Sequence, residues 1–289
     1  MTAYQLQTSD ATLAYDVDGP LPTADGRPPL FMIGQPMDSR GFETLASHFT
    51  DRTVVRYDPR GLHRSTRRDG RVDQRPEQQA QDVHEIIAAV GVAPVDMFAS
   101  SGGAVTALAL VAAHPDDVAT LVAHEPPLVA LLPDAELALA GERINQEAYQ
   151  AKGSAYGMAG FIAYTSWQGQ FTQGFLAGLP GDPAQFGLPA TDDGSRDDPL
   201  LSGVASAITR YRPDVAAIRA APTRVVIAAG EESEATVTWR TSVAMAELLT
   251  TPLTVFPSHH GGFLGGQLGY GGQPEAFAAR LREVLAGAT

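Results

Sequence analysis

The sequence contains no cysteine, which excludes disulfide bonds and thiolate chemistry. It also lacks any apolar run near the ~18 residues that a membrane-spanning helix requires. The longest candidate, "AVTALALVAAH" at 104–114, has the length of a buried core helix. The first residues, "MTAYQLQTSD", show neither the basic start nor the apolar stretch of a secretory signal. These absences favour a cytoplasmic protein without membrane contact.

Positive charge is also scarce. Lysine and arginine number 20 against 33 aspartate and glutamate residues, which gives a net charge of −13. A surface this acidic repels a phosphate backbone, so we do not expect nucleic acid as a partner. Arginines do cluster between residues 56 and 75, but aspartates interleave with them, a pattern typical of a solvated loop.

Short apolar runs alternate with helix-length amphipathic stretches over most of the chain, including "PLFMIGQP", "PVDMFAS", "VATLVAHEPP" and "TRVVIAAG". This alternation predicts an α/β fold with a mostly parallel, doubly wound sheet, opened by an antiparallel pair. Between residues 128 and 221 the rhythm breaks into helical patterns. We therefore expect a core domain formed by residues 1–127 and 222–289, interrupted by a helical cap at 128–221.

Ser101 lies where a predicted strand ends and a predicted helix begins, within "MFASSGG". Ala99 and Gly103 flank it at two residues' distance, the small-x-Ser-x-Gly spacing of a nucleophile elbow. In such a turn the amide of Gly102, at the helix N-terminus, can donate to an oxyanion. The alternative is an ordinary strand-to-helix loop in which Ser101 caps the helix.

A serine nucleophile needs a base, and "FPSHHGGF" after the last predicted strand offers His260, with His259 as its competitor. The glycines that follow favour His260. His114 fits a helix C-terminus better, while His48, His63 and His84 are expected to be structural or solvated. Because no two histidines have metal-ligand spacing on one helix, we predict no metal, and the proposed chemistry needs no cofactor.

The residue that orients His260 has two candidate locations. Glu125 closes the apolar strand "TLVAHE", where a buried carboxylate requires a partner. The alternative is the cluster Glu231, Glu232 and Glu234 after "TRVVIAAG"; Ser233 occupies the customary acid position there and cannot serve. We favour Glu125.

Two further groups of residues complete the predicted site. The loop after "PLFMIG" places the backbone amide of Gln35 as the second oxyanion donor. The segment "GFIAYTSWQGQFTQGF" is rich in aromatic side chains, which predict either an apolar substrate pocket or packing within the cap. The predicted substrate-binding residues are Phe161, Tyr164, Trp167 and Phe171.

Together, "ASSGG", "FPSHHGGF", "IGQP" and "YDPRGLHRS" resemble the motifs of the α/β-hydrolase superfamily over nearly the whole chain, with Ile33 where a histidine is common. The pairing of "SSG" at 100–102 with "HEPP" at 124–127 is similar to zearalenone lactonases, whose acid follows this earlier strand. The resemblance implies a serine esterase or lactonase, and the aromatic side chains of the predicted cap favour a mid-sized hydrophobic substrate. Other triad chemistry (carbon–carbon bond hydrolysis, cofactor-free perhydrolysis or a biosynthetic cyclisation), ligand binding without turnover, and a homodimer stay open.

Overall fold

The computed structural model describes residues 1–189, 191–192, 194–269 and 271–287. Its strands are Thr2–Gln7 (β1), Ala11–Asp18 (β2), Leu30–Ile33 (β3), Val54–Tyr57 (β4), Thr66–Arg67 (β5), Val95–Ser100 (β6), Val118–His124 (β7), Arg224–Gly230 (β8) and Thr254–Phe256 (β9). They form one sheet in the order β1-β2-β4-β3-β6-β7-β8-β9, with β5 pairing beside β2. β1, β4 and β5 each pair antiparallel with β2. The other pairs, which run through the sheet from β4 by way of β3, β6, β7 and β8 to β9, are all parallel. The predicted mostly parallel sheet is therefore confirmed.

The α-helices lie mostly between the parallel strands. They are Glu43–Ser47 (α1), Pro76–Val90 (α2), Gly102–Ala113 (α3), Ala135–Lys152 (α4), Ser154–Ser166 (α5), Gln173–Leu176 (α6), Ser206–Thr209 (α7), Val215–Ala220 (α8), Val237–Leu249 (α9) and Pro274–Leu285 (α10). α2 shows how local sequence sets the bounds: Pro76 takes the first helical turn, and Gly91 ends the helix in the left-handed conformation, φ 73°.

Helices cover both faces of the sheet because side chains alternate along each buried strand. On β6, Met97 and Ala99 pack into the core beneath α2, α3 and α9. Phe98 points to the opposite face, where it packs with α1 and α10. This period of two, with both faces apolar, is the pattern of a parallel sheet buried between helical layers.

The inserted segment, residues 128–221, separates the neighbouring strands β7 and β8 and contributes α4 to α8; none of its described residues is in a strand. Its apolar core includes Tyr164 and Phe171 and continues into Val237 of α9. Asp134 also forms an ion pair with Arg240 of α9. The segment is therefore packed against the helix that follows β8.

Two helix-length stretches of the sequence form shorter elements. The pattern "SGVASAITRYRPDVAAIRA" gives the separate short helices α7 and α8, because Pro213 between them lacks the amide that would continue a helix. Between β3 and β4, a 3₁₀ turn at Ser39–Phe42 is followed by the short helix α1. Within the described part of the chain, no helix has the combined length and apolarity needed to cross a membrane.

Candidate active site

Ser101 occupies a sharp turn between β6 and α3, with φ 57° and ψ −131°. A non-glycine residue held at positive φ costs on the order of 1–3 kcal/mol, so the surrounding structure must impose the conformation. The Ser101 amide donates to the carbonyl of His124 at the end of the neighbouring strand, at 2.9 Å. Its side chain is half-buried at the carboxyl edge of the sheet. This is the geometry that the elbow motif predicts.

The glycines behind Ser101 allow the turn to press against the loop after β3. A Cβ added to Gly103 would lie 2.7 Å from Gly34 Cα, and one added to Gly102 would lie 2.8 Å from Gln35 Cβ. Both contacts are shorter than side chains tolerate, so glycine is required here. Gly102 is also the first residue of α3, and its amide therefore has no acceptor within the helix.

Glu125 follows β7 directly and is fully buried, with φ 49°. Its Oε1 accepts a hydrogen bond from the amide of Gly230 at 2.9 Å. Its Oε2 accepts from the hydroxyl of Thr238 at 2.5 Å and lies 2.6 Å from Nδ1 of His260. The carboxylate thus has the hydrogen-bonding partners that a buried charge requires.

The pKa shifts of this pair follow from the same contacts. Burial acts to raise the pKa of Glu125, but the positive charge and hydrogen bond of His260 outweigh it and hold the pKa well below its usual range. For His260, burial acts to lower the pKa, and the carboxylate of Glu125 outweighs it and raises the pKa above 6.5. Glu125 therefore stabilises a positive charge on the imidazole.

His260 reaches Glu125 from the loop after β9, and 43% of its side chain is exposed. The neighbouring His259 is oriented elsewhere: its Nδ1 accepts from the amide of Gly261 at 3.0 Å, and its Nε2 lies 3.2 Å from the carbonyl of Gly271. The glycines after His260 allow the loop to pack closely. A Cβ on Gly262 would lie 2.8 Å from the carbonyl oxygen of Pro257, and one on Gly261 would lie 3.0 Å from Leu264 Cδ1.

Among the described residues, no hydrogen bond or ion pair joins any of the competing acids to His260. Glu231, Glu232 and Glu234 are exposed, and Glu232 accepts a hydrogen bond from Gln273 at 3.3 Å. Ser233, at the customary acid position, is buried and lowers the pKa of Glu125 through a hydrogen bond. Sequence reasoning missed Ser233, Gly230 and Thr238 as partners of Glu125, because a hydroxyl or amide in a loop carries no distinctive signal.

His124 connects the three predicted catalytic residues, Ser101, Glu125 and His260. Its carbonyl binds the amide of Ser101, Glu125 is the next residue, and its ring centre is 6.2 Å from that of His260. Among the described residues, no hydrogen bond yet joins the Ser101 hydroxyl to the imidazole. Such contacts often tighten only when substrate binds.

The predicted substrate-binding aromatics occupy two environments. Tyr164 and Phe171 are buried in the core of the inserted segment, where their rings stack at 4.7 Å. Trp167 is half-buried; its ring packs 4.5 Å from that of Phe175, and its indole N–H donates to the carbonyl of Gln170. Phe161 is half-buried on α5. Tyr164 and Phe171 thus fit the packing interpretation, while Trp167 and Phe161 have surface left for a ligand.

A mostly parallel sheet with a strained serine after β6 and a His–Glu pair at the same edge defines an α/β-hydrolase fold. The family model described as alpha/beta hydrolase fold matches residues 30–153. The "Uncharacterized hydrolase YraK" of Bacillus subtilis (strain 168) is 27% identical over 281 residues, which cover 97% of this chain and 94% of that protein.

Solved structures show the same fold. The alignment with a thermophilic esterase from Thermogutta terrifontis covers 100% of this chain and 99% of the esterase chain, with 20% identity and a TM-score of 0.64. The alignment with MGS-M2, an alpha/beta hydrolase enzyme from a Medee basin deep-sea metagenome library, covers 99% of this chain and 98% of the MGS-M2 chain, with 18% identity and a TM-score of 0.69. The chain therefore has the α/β-hydrolase fold. The narrower likeness to zearalenone lactonases receives no support from these matches.

Proposed function

We propose that this protein is a serine hydrolase that cleaves a carboxylic ester or lactone through an acyl-enzyme. The observation that carries the proposal is the buried Glu125 carboxylate 2.6 Å from His260 Nδ1, at the sheet edge where Ser101 is held in a strained turn. Esterases among the solved relatives, including one described as a putative aryl esterase from Burkholderia cenocepacia, support the substrate class.

The first chemical step uses the three side chains in sequence. Substrate binding brings His260 Nε2 to the Ser101 hydroxyl, and the imidazole takes the proton as the oxygen attacks the ester carbonyl. Glu125 keeps the other ring proton on Nδ1 and stabilises the resulting imidazolium. The amides of Gly102 and Gln35 donate to the carbonyl oxygen as it becomes negative.

The second half of the reaction returns the enzyme to its starting state. His260 gives its proton to the leaving alkoxide, and the alcohol departs; from a lactone the alcohol stays attached to the acyl group. A water molecule then loses a proton to His260 and attacks the acyl-enzyme. As the bond to the Ser101 oxygen breaks and the carboxylic acid leaves, His260 returns that proton to Ser101. The half-buried aromatic side chains of the inserted segment, Trp167 and Phe161, favour a hydrophobic substrate.

Active-site labelling tests this proposal directly. A fluorophosphonate probe should modify the protein once, at Ser101, and peptide mass spectrometry should locate the adduct. Ser101→Ala should not be labelled, whereas Ser100→Ala, a change at the neighbouring serine, should still react. Purified protein should then hydrolyse members of a panel of aryl esters and macrolactones. An unreactive wild-type protein would instead favour ligand binding without turnover, and products of another type would move the proposal to a different triad chemistry.

A further inference from the structure

Three side chains capable of binding a metal meet at the end of the sheet opposite Ser101. His84 lies on α2, His114 caps the C-terminus of α3, and Asp117 immediately precedes β7. Since α3 has twelve residues and begins next to Ser101, its two ends are about 18 Å apart. This cluster is therefore separate from the site proposed above.

The ligand atoms of the three residues all lie within 4.8 Å of one another. His84 Nδ1 is 2.7 Å from Asp117 Oδ2, and the two imidazole rings stack with centres 3.8 Å apart. A tight turn fixes two of the ligands, because the Asp117 amide donates to the His114 carbonyl at 3.1 Å. The cluster is thus built from three elements whose backbones are held in place.

The tautomer of His114 suits a metal ligand. Its Nε2 is 3.1 Å from the side-chain oxygen of Gln81, which can only accept, so the ring proton lies on Nε2. The lone pair of Nδ1 is then free, and Gln81 has the orienting role that outer partners have in metal sites.

Spacing along a single helix predicted no metal, but these ligands come from separate elements, and we propose that His84, His114 and Asp117 bind a divalent transition-metal ion, for which Zn²⁺ is the best chemical match. Two imidazoles and one carboxylate are ligands that Zn²⁺ prefers, with water in the fourth position, whereas Mg²⁺ and Ca²⁺ prefer oxygen ligands alone. The bound ion joins α2 to the corner between α3 and β7. Its role is to stabilise the fold, since it lies far from Ser101.

Binding requires one local movement. The in-plane lone pairs of parallel rings do not converge on one point, and the planes of His84 and His114 are only 9° apart. One ring must therefore turn. His84 has 34% of its side chain exposed and can do so, exchanging its hydrogen bond to Asp117 for a shared ion.

Calorimetric titration of ZnCl₂ into the untagged protein tests the proposal. We expect one ion per chain and an increase of a few degrees in Tm, because the ion binds the folded state. His84→Gln and His114→Gln should each weaken binding about tenfold or more. His63→Gln is the matched control, since His63 lies 4.0 Å from a single carboxylate, Asp38, and its loss should leave the affinity unchanged.

The titration must also show that the ion does not bind at the His260–Glu125 pair, which offers an imidazole and a carboxylate as ligands. His260→Gln should retain the ion. Absence of Zn²⁺ binding by the wild-type protein, binding that survives both His84→Gln and His114→Gln, or binding that is lost in His260→Gln would each overturn the proposal. Circular dichroism and Tm without metal verify that each variant is folded, and Asp117→Asn replaces any variant that is not.

Discussion

At the carboxyl edge of the sheet, Ser101, Glu125 and Ser258 all adopt positive φ angles, whereas among the described residues of the inserted segment only glycines do. The edge is held by polar contacts between residues more than 100 positions apart, such as Glu125 with Gly230 and His260. The inserted segment is held mainly by apolar packing. Strained, polar positions persist only where surrounding structure imposes them. We therefore expect changes at the edge to alter turnover, and changes in the segment to alter stability or affinity.

The largest effect on turnover is expected at the nucleophile. Ser101→Ala removes the attacking oxygen, and the rate of ester hydrolysis should fall by at least about 10⁴-fold. The free energy of unfolding, measured with urea, should change by about 1 kcal/mol or less, because no hydrogen bond of the hydroxyl is lost. A variant that retained activity would show that Ser101 is not the nucleophile.

Glu125→Gln should have the next largest effect, about 10³- to 10⁴-fold on kcat, because the amide no longer stabilises the imidazolium and its NH₂ group favours the wrong tautomer. The acidic limb of the kcat/KM profile reports His260, which must be neutral to act as base. Glu125 raises the pKa of His260, so the wild-type limb should lie above pH 6.5 and move to lower pH in the variant.

Glu232→Gln is the matched control for this experiment. It removes an exposed carboxylate that follows β8 and that, among the described residues, forms no hydrogen bond or ion pair with His260. Both the rate and the pH profile should stay as in the wild type. The opposite pattern, with a large loss of rate in the Glu232 variant and a small loss in the Glu125 variant, would show that the acid that orients His260 follows β8 rather than β7.

Thr238→Val tests whether the partners of Glu125 contribute to the site. The change preserves shape but removes the hydroxyl that donates to Glu125 Oε2 at 2.5 Å. A hydrogen bond to a charged group contributes about 1.5–3 kcal/mol, so we expect kcat to fall about tenfold. Thr238→Ser, which keeps the hydroxyl, should restore most of the rate. Equal losses in both variants would indicate packing rather than the hydrogen bond.

In the inserted segment, Asp134→Ala should affect stability more than chemistry. Asp134 pairs with Arg240 and accepts from the Phe171 amide at 2.6 Å, and it is largely buried. Its loss should reduce the free energy of unfolding by about 3 kcal/mol at pH 7. Burial acts to raise the pKa of Asp134, but the hydrogen bond from Arg240 outweighs it and lowers the pKa below 3.8. The stabilisation is therefore fully present above pH 3.8 and is lost as the pH falls below that value. A variant as stable as the wild type would show that the pair does not anchor the segment.

The smallest effect is expected at Trp167. Trp167→Ala should raise KM several-fold for hydrophobic esters and leave kcat nearly unchanged, because an apolar contact made by a half-buried ring binds the substrate and the transition state equally. Steady-state kinetics on two esters of different chain length measure the effect. Unchanged KM values for both would remove Trp167 from the substrate-binding residues.

Much of the fold could be predicted from local pattern. The antiparallel opening pair, the parallel strands and the bounds of α2 and α3 match their apolar periods and their terminal proline and glycine residues. The short strand β5 and the interruption before α8 were missed, because two-residue pairing and a proline within a helical pattern depend on context. The strained turn at Ser101 could be predicted because it restricts the sequence at fixed spacing on both sides.

The sequence by itself determined the order of elements, the position of the serine turn and a short list of acids that could assist it. Only the tertiary structure shows which of those acids contacts His260. Glu125 is buried beside His260 while Glu231, Glu232 and Glu234 remain exposed, because the pairing of β7 with β8 and the path of the loop after β9 decide which carboxylate meets the ring. Likewise, His84, His114 and Asp117 have no shared spacing in the chain and become neighbours only when α2 packs against α3. Contacts of this kind depend on long-range packing, which no local pattern encodes.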